Sequence, residues 1–199
     1  MLHINYLSFP PLPDALEQEI LDIAHQAEIF HANDIHVNAS RETLEVIGHV
    51  DYNPDTNLGY HYSTAKEHFP SMSNYHFLEA SDNIRKWVAE NINPSLTAHI
   101  QVIDQGTIIP PHIDEVRSKA VNYIVEPGGN SITSFYYVKG EYQNLLVTPQ
   151  TSIPYERLSV MESVLIQPKM WHSLDVTQIH GVTNMNPLQK RIALTLSVI

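Results

Sequence analysis

The second half of this chain carries short strand signals at close, regular intervals, and that pattern admits few folds. Residues 97–104, 119–125, 132–139, 144–148, 163–167, 172–177 and 191–198 are each rich in Val, Ile, Thr and Tyr. Such side chains suit the pleated, half-buried surface of a sheet. Between the runs lie turn formers, as in Glu126-Pro127-Gly128-Gly129-Asn130, whose backbone preferences reverse the chain. Many short strands joined this way predict a sandwich or barrel. A double-sheet jelly roll with a core the size of eight strands fits best.

The first half reads differently. Pro10, Pro11 and Pro13 precede Asp14-Ala15-Leu16-Glu17, a capping box that opens a helix. Leu16, Ile20, Ile23, Ala24 and Ala27 recur at helical spacing and predict an amphipathic helix from residue 14 to about 29. Residues 44–50 read as a strand and 51–75 as a long polar loop. Residues 81–93 carry Ile84, Trp87, Val88 and Ile92 and predict a second helix, ended by Pro94. The expected class is α+β, with N-terminal helices followed by a jelly-roll core. A length of 199 residues suits one domain, residues 1–96 packing as a helical and loop-rich part on the core at 97–199.

Composition narrows the function. The chain has no cysteine, which excludes disulfides, thiolate metal sites and cysteine nucleophiles, and agrees with a reducing cytoplasm. A formal charge of −11, with no basic cluster richer than Arg85-Lys86 or Lys190-Arg191, speaks against nucleic acid as a partner. No apolar run reaches the roughly 20 residues of a membrane span, and Met1 to Pro13 does not read as a secretory signal.

The chemistry-bearing pattern is His112-Ile113-Asp114. Residues two apart at a strand edge project to the same side, so this imidazole and carboxylate can reach one ion. A second imidazole would complete a set that covers one face of an octahedral ion and leaves three positions open. His-x-Asp arises easily by chance in a chain with twelve histidines, and His49-Val50-Asp51 is a second copy. That copy reads as a strand end running into the turn Asp51-Tyr52-Asn53-Pro54. Two residues compete to be the third ligand. His180 is preferred, as the residue presented after the strand at 172–176 and a bend at 177–179. His172, in Trp171-His172-Ser173, is the alternative. Arg191 opens the last strand, where Arg191, Ala193, Thr195 and Ser197 share one face. Small and hydroxyl neighbours leave room for an arginine to meet a carboxylate.

These residues resemble the 2-oxoglutarate/Fe(II)-dependent dioxygenases, chiefly the small stand-alone hydroxylases, over about residues 97–199. The resemblance rests on Gly106-Thr107, Pro111-His112-Ile113-Asp114, Asn122, Thr133-Ser134-Phe135-Tyr136, His180-Gly181-Val182-Thr183-Asn184 and Arg191. It implies a double-stranded β-helix fold and Fe(II) held by His112, Asp114 and His180. It implies 2-oxoglutarate anchored by Arg191 and O2 as the oxidant, with hydroxylation of a C–H bond and release of succinate and CO2. The family's Arg-x-Ser pattern is broken by Ala193, which leaves Asn122, Thr133 and Gln101 as candidates for the second contact to the co-substrate. The substrate class is a small molecule or a protein or peptide side chain. Tyr60, His61, Tyr62, His68 and Phe69 could form a lid, and Arg117 and Trp171 could line the entrance. The competing class is a cupin-like metal- or ligand-binding module without turnover.

Overall fold

The structure, a computed structural model, describes residues 3–31, 60–61, 76–103, 105–114, 117–143, 151–183 and 185–198. In chain order these form β1 (Ile4–Tyr6), α1 (Asp14–His31), β2 (Tyr60–His61), β3 (His76–Glu79) and α2 (Asp82–Asn91). Then come β4 (Leu96–Ile103), β5 (Ile109–His112), β6 (Lys119–Pro127), β7 (Ile132–Val138) and β8 (Thr151–Ser152). The last four are β9 (Leu158–Val164), β10 (Trp171–Asp175), β11 (Ile179–Thr183) and β12 (Arg191–Val198). No helix among the described residues is long and apolar enough to cross a membrane.

Two antiparallel sheets form the body. The larger has the order β1-β10-β6-β12-β4-β3 and the smaller β5-β11-β7-β9, with β2 and β8 as a separate pair. From β4 onward the chain changes sheet at nearly every step, so β4, β6, β10 and β12 lie in one sheet and β5, β7, β9 and β11 in the other. This is the double-stranded β-helix, or jelly roll, with helices before it.

Several strands differ from the sequence reading for physical reasons. β5 contains Pro110 and Pro111, which hide a strand from propensity; it is tolerated because β5 is an edge of its sheet, where a missing donor goes unnoticed. The strand expected at 163–167 is instead Leu158–Val164, the other edge of that sheet, with Val160 and Met161 exposed. The chain does bend, at residues 176–178, but His180 does not end the preceding strand. It sits within β11, in the opposite sheet. The readings at 44–50, 51–59, 62–75 and 144–148, including His49-Val50-Asp51 and the candidate lid residues Tyr62, His68 and Phe69, lie outside the described residues.

Alternation along the strands sorts the core. Ile192, Leu194 and Leu196 of β12 face outward into a layer with Ile100 and Val102 of β4, Ile20 and Ala24 of α1, and Ile84 and Val88 of α2. Ala193 faces the other way, between the sheets, with Ile124, Phe135 and Leu174. Trp171 belongs to the outer layer: its indole N–H donates to the Pro10 carbonyl at 2.8 Å, and its ring stacks on Trp87. It therefore does not line an entrance.

Glu17 departs from its expected role in the capping box. The first-turn amides of Leu16 and Glu17 meet the Pro13 carbonyl, and the Glu17 side chain turns inward, 6% exposed. It accepts the Tyr123 hydroxyl at 2.7 Å and the Lys169 ammonium at 2.5 Å, tying α1 to the large sheet. Glu17→Ala leaves the Tyr123 hydroxyl buried without that acceptor and should cost about 1–3 kcal/mol in urea unfolding. Lys169→Met, which removes a solvent-facing partner, should cost clearly less; equal losses would contradict this account.

Candidate metal centre

β5 ends at His112, and the chain then leaves the sheet. The Asp114 amide donates to the Val176 carbonyl at 3.0 Å, which fixes the carboxylate just beyond the strand. β11 pairs with β5 so that His180 stands opposite His112, and their rings lie 4.5 Å apart between centroids. The approach is close because the residue after His180 is glycine. A Cβ on Gly181 would stand 2.7 Å from the Ile109 carbonyl oxygen.

Both imidazoles are oriented by backbone. Nδ1 of His112 lies 2.9 Å from the Pro110 carbonyl oxygen and Nδ1 of His180 2.9 Å from that of Gln178. A carbonyl can only accept, so each Nδ1 carries a hydrogen, and in its neutral form each ring presents a lone pair at Nε2. Those two Nε2 atoms lie 3.4 and 3.7 Å from the same oxygen, Oδ1 of Asp114, and one ligand atom from each of the three residues falls within 4.8 Å of the others. Three electron-rich atoms converging on one point form a 2-His-1-carboxylate set able to bind a divalent cation. The fold and this set are those the resemblance implied.

The charge balance suits a cation. Burial alone would raise the Asp114 carboxyl, but contact with His112 and the Arg117 guanidinium outweigh it and hold the group well below the usual carboxylate range. Burial, helped by neighbouring His112, pushes His180 down to about 4, so the ring is neutral and ligand-ready at pH 7.

The triad opens into a cavity of about 580 Å³ between the sheets. Gln101 of β4, Asn122 of β6, Thr133 of β7 and Arg191 of β12 all line it, so the candidates for co-substrate contact share one space. Arg191 is 4% exposed, and its guanidinium has no hydrogen-bonding or ionic partner among the described residues. Burial lowers it to about 10, which leaves it a cation at neutral pH. Oδ1 of Asn122 is likewise buried and unpartnered.

His172 does not join the triad. It is fully buried in β10, opposite Asn122, with Nδ1 3.2 Å from the Met170 carbonyl oxygen. Burial, with the charge of Arg191 added, lowers it to about 4. The contact least legible beforehand is Arg117, which pairs with Asp114. The three-residue Asp–Arg spacing was its one signal.

No family model and no curated protein matches the chain. Solved structures do. SnoN, a non-heme alpha ketoglutarate dependent epimerase from nogalamycin biosynthesis, aligns over 98% of this chain and 78% of its own, at 13% identity and a TM-score of 0.46. The apo form of ThoJ, a non-heme monooxygenase, aligns over 98% and 72%, at 11% identity and a TM-score of 0.41. Procruciferin, an 11S globulin from Brassica napus, aligns over 65% of this chain, at 11% identity and a TM-score of 0.34; the chain spans only 26% of it. Likeness at this level carries no weight for function, which rests on the geometry of the site.

Proposed function

We propose that this chain is an Fe(II)- and 2-oxoglutarate-dependent oxygenase. It would hydroxylate a C–H bond of a small molecule or of an amino-acid side chain and release succinate and CO2. Arg191 carries the reading. A buried guanidinium is costly unless it is paired, and this one, with no counter-charge among the described residues, shares a cavity with the triad. A carboxylate entering that cavity supplies the missing partner, and a metal-binding module without turnover has no use for one there.

The spacing supports a diacid. Thr195 lies four residues along β12 from Arg191 and accepts a hydrogen bond from Arg117, the partner of Asp114. At roughly 3.3 Å per strand residue the two positions are about 13 Å apart along β12, which separates the arginine from the side of the cavity where Arg117 meets Asp114. His112, Asp114 and His180 would hold Fe(II). When bound, the ion would supply the redox chemistry that couples the oxo-acid and O2 to oxidation of the substrate. Arg191 would hold the distal carboxylate, and Asn122, Thr133 and Gln101, which line the same cavity, would be the candidates for the second contact. Ile109, Leu174, Val176 and Val182 keep that part of the cavity apolar. Phe77, half exposed on β3, lines the same cavity.

Anaerobic Fe(II) with 2-oxoglutarate should give a weak visible charge-transfer band. The band should vanish in His180→Ala and persist in His172→Ala; its absence from the wild type would sink the proposal. Arg191→Ala should weaken 2-oxoglutarate binding by about 2 kcal/mol or more, as when one partner of a buried charge pair is removed.

The neutral histidines also set a pH dependence. Folding holds His172 and His180 at about 4, against 6.5 for a free imidazole. As pH falls through that window the unfolded chain takes up protons that the folded chain refuses. The metal-free protein should therefore lose stability from pH 6.5 towards 4, at about 1.4 kcal/mol per pH unit per histidine mid-window. Urea unfolding at several pH values checks this, and His172→Gln should make the dependence shallower.

A further inference from the structure

The two oxygens of Asp114 have different partners. Oδ1 faces both imidazoles, while Oδ2 accepts the Arg117 Nε–H at 2.5 Å. Arg117 is itself held from the far side: Nη1 donates to Thr195 Oγ1 at 3.3 Å and to Ser197 Oγ at 3.2 Å, both on β12. Those acceptors are neutral hydroxyls, so among the described residues Asp114 is the anion paired with the guanidinium. The pair is mostly buried, with side-chain exposures of 19% and 13%, where a charge-assisted hydrogen bond is strong.

A carboxylate whose second oxygen is free can close on a cation with both oxygens. At an octahedral ion that would use a fourth position and leave two open in place of three. We infer that Arg117 is a positioning residue that occupies Oδ2 of Asp114, keeps this carboxylate a one-oxygen ligand, and so preserves three open positions at the metal centre. Thr195 and Ser197 serve this arrangement by preventing the guanidinium from swinging away. The inference rests on the metal-site reading and is independent of 2-oxoglutarate and of Arg191.

Counting open positions tests it. Co(II)-loaded protein is saturated with oxalate, which takes two positions, and azide is then titrated while the visible spectrum is followed. In the wild type azide should add to the oxalate complex and change the spectrum. Arg117→Gln should still bind Co(II) and oxalate, yet its affinity for azide should fall by about tenfold or more. Arg117→Lys, which keeps a donor and its charge, should recover much of that loss. Azide binding by Arg117→Gln equal to wild type would overturn the inference. So would a variant that loses Co(II) or oxalate altogether, since that marks a merely structural role. A wild type that binds no Co(II) removes the metal site and this inference with it. Wild-type protein that behaves as expected with Co(II), oxalate and azide but shows no Fe(II)–2-oxoglutarate band leaves the Arg117 role standing and fails only the co-substrate reading.

Discussion

The metal centre depends on how closely β11 lies against β5. The two histidines come from parts of the chain far apart in sequence, and only the antiparallel register that sets His180 opposite His112 brings their rings together. Gly181 permits that register, because any side chain there would collide with the backbone at Ile109. The prolines of β5 contribute as well. They remove amide donors on an edge strand, where the loss is harmless, and the Pro110 carbonyl fixes the tautomer of His112. Local backbone geometry thus decides both where the imidazoles are and which nitrogen each presents.

A jelly roll would ordinarily fill the space between its sheets with apolar side chains. Here β12 gives part of its inner face to Arg191, Thr195 and Ser197, and β4 and β6 add Gln101 and Asn122. The apolar packing lost inside is offset outside. The larger hydrophobic cluster lies between the large sheet and the two helices, where Trp171, Tyr123 and the outward residues of β12 meet α1 and α2. The N-terminal helices are therefore part of what stabilises a body hollowed for chemistry, and Glu17 beneath Tyr123 ties one of them down.

Much of this was legible in the chain. Hydrophobic period gave both helices and β4, β6, β7 and β12, since these are central or well-packed elements whose patterns follow burial directly. The strands misplaced or unread at the sheet edges, β1, β3, β5 and β9, are short, proline-bearing or buried on one side, where propensity is weak. β11, an interior strand of the smaller sheet, went unread because only three residues separate it from β10. The triad could be read because His-x-Asp places two ligands locally, and the preference for His180 over His172 holds, although the reason differs: His180 lies within β11 and does not end the strand of His172. The choice turns on which sheet each residue enters, and a bend of three residues decides that. The Arg117 contact was hardest to see, because an Asp and an Arg three apart form an ion pair only if the turn between them brings them together.

The cavity holds two arginines, and the contrast between them bears most directly on function. Arg117 has its charge answered by Asp114, and its Nη1 donates to two hydroxyls; its counter-charge is in place without any ligand. Arg191 is more deeply buried and has neither counter-ion nor acceptor among the described residues. Desolvation makes an unanswered charge unfavourable in proportion to its burial, so the two positions cannot have the same role. The satisfied arginine belongs to the scaffold that shapes the metal ligand. The unsatisfied one stores a local cost that binding can relieve, and it relieves most when the incoming group is an anion at the far end of a molecule whose near end can reach the triad. Under the proposed function, the same physics that makes Arg191 a poor contributor to stability would make it selective for a diacid, because a ligand with a single carboxylate can answer the metal end or the arginine end, but not both.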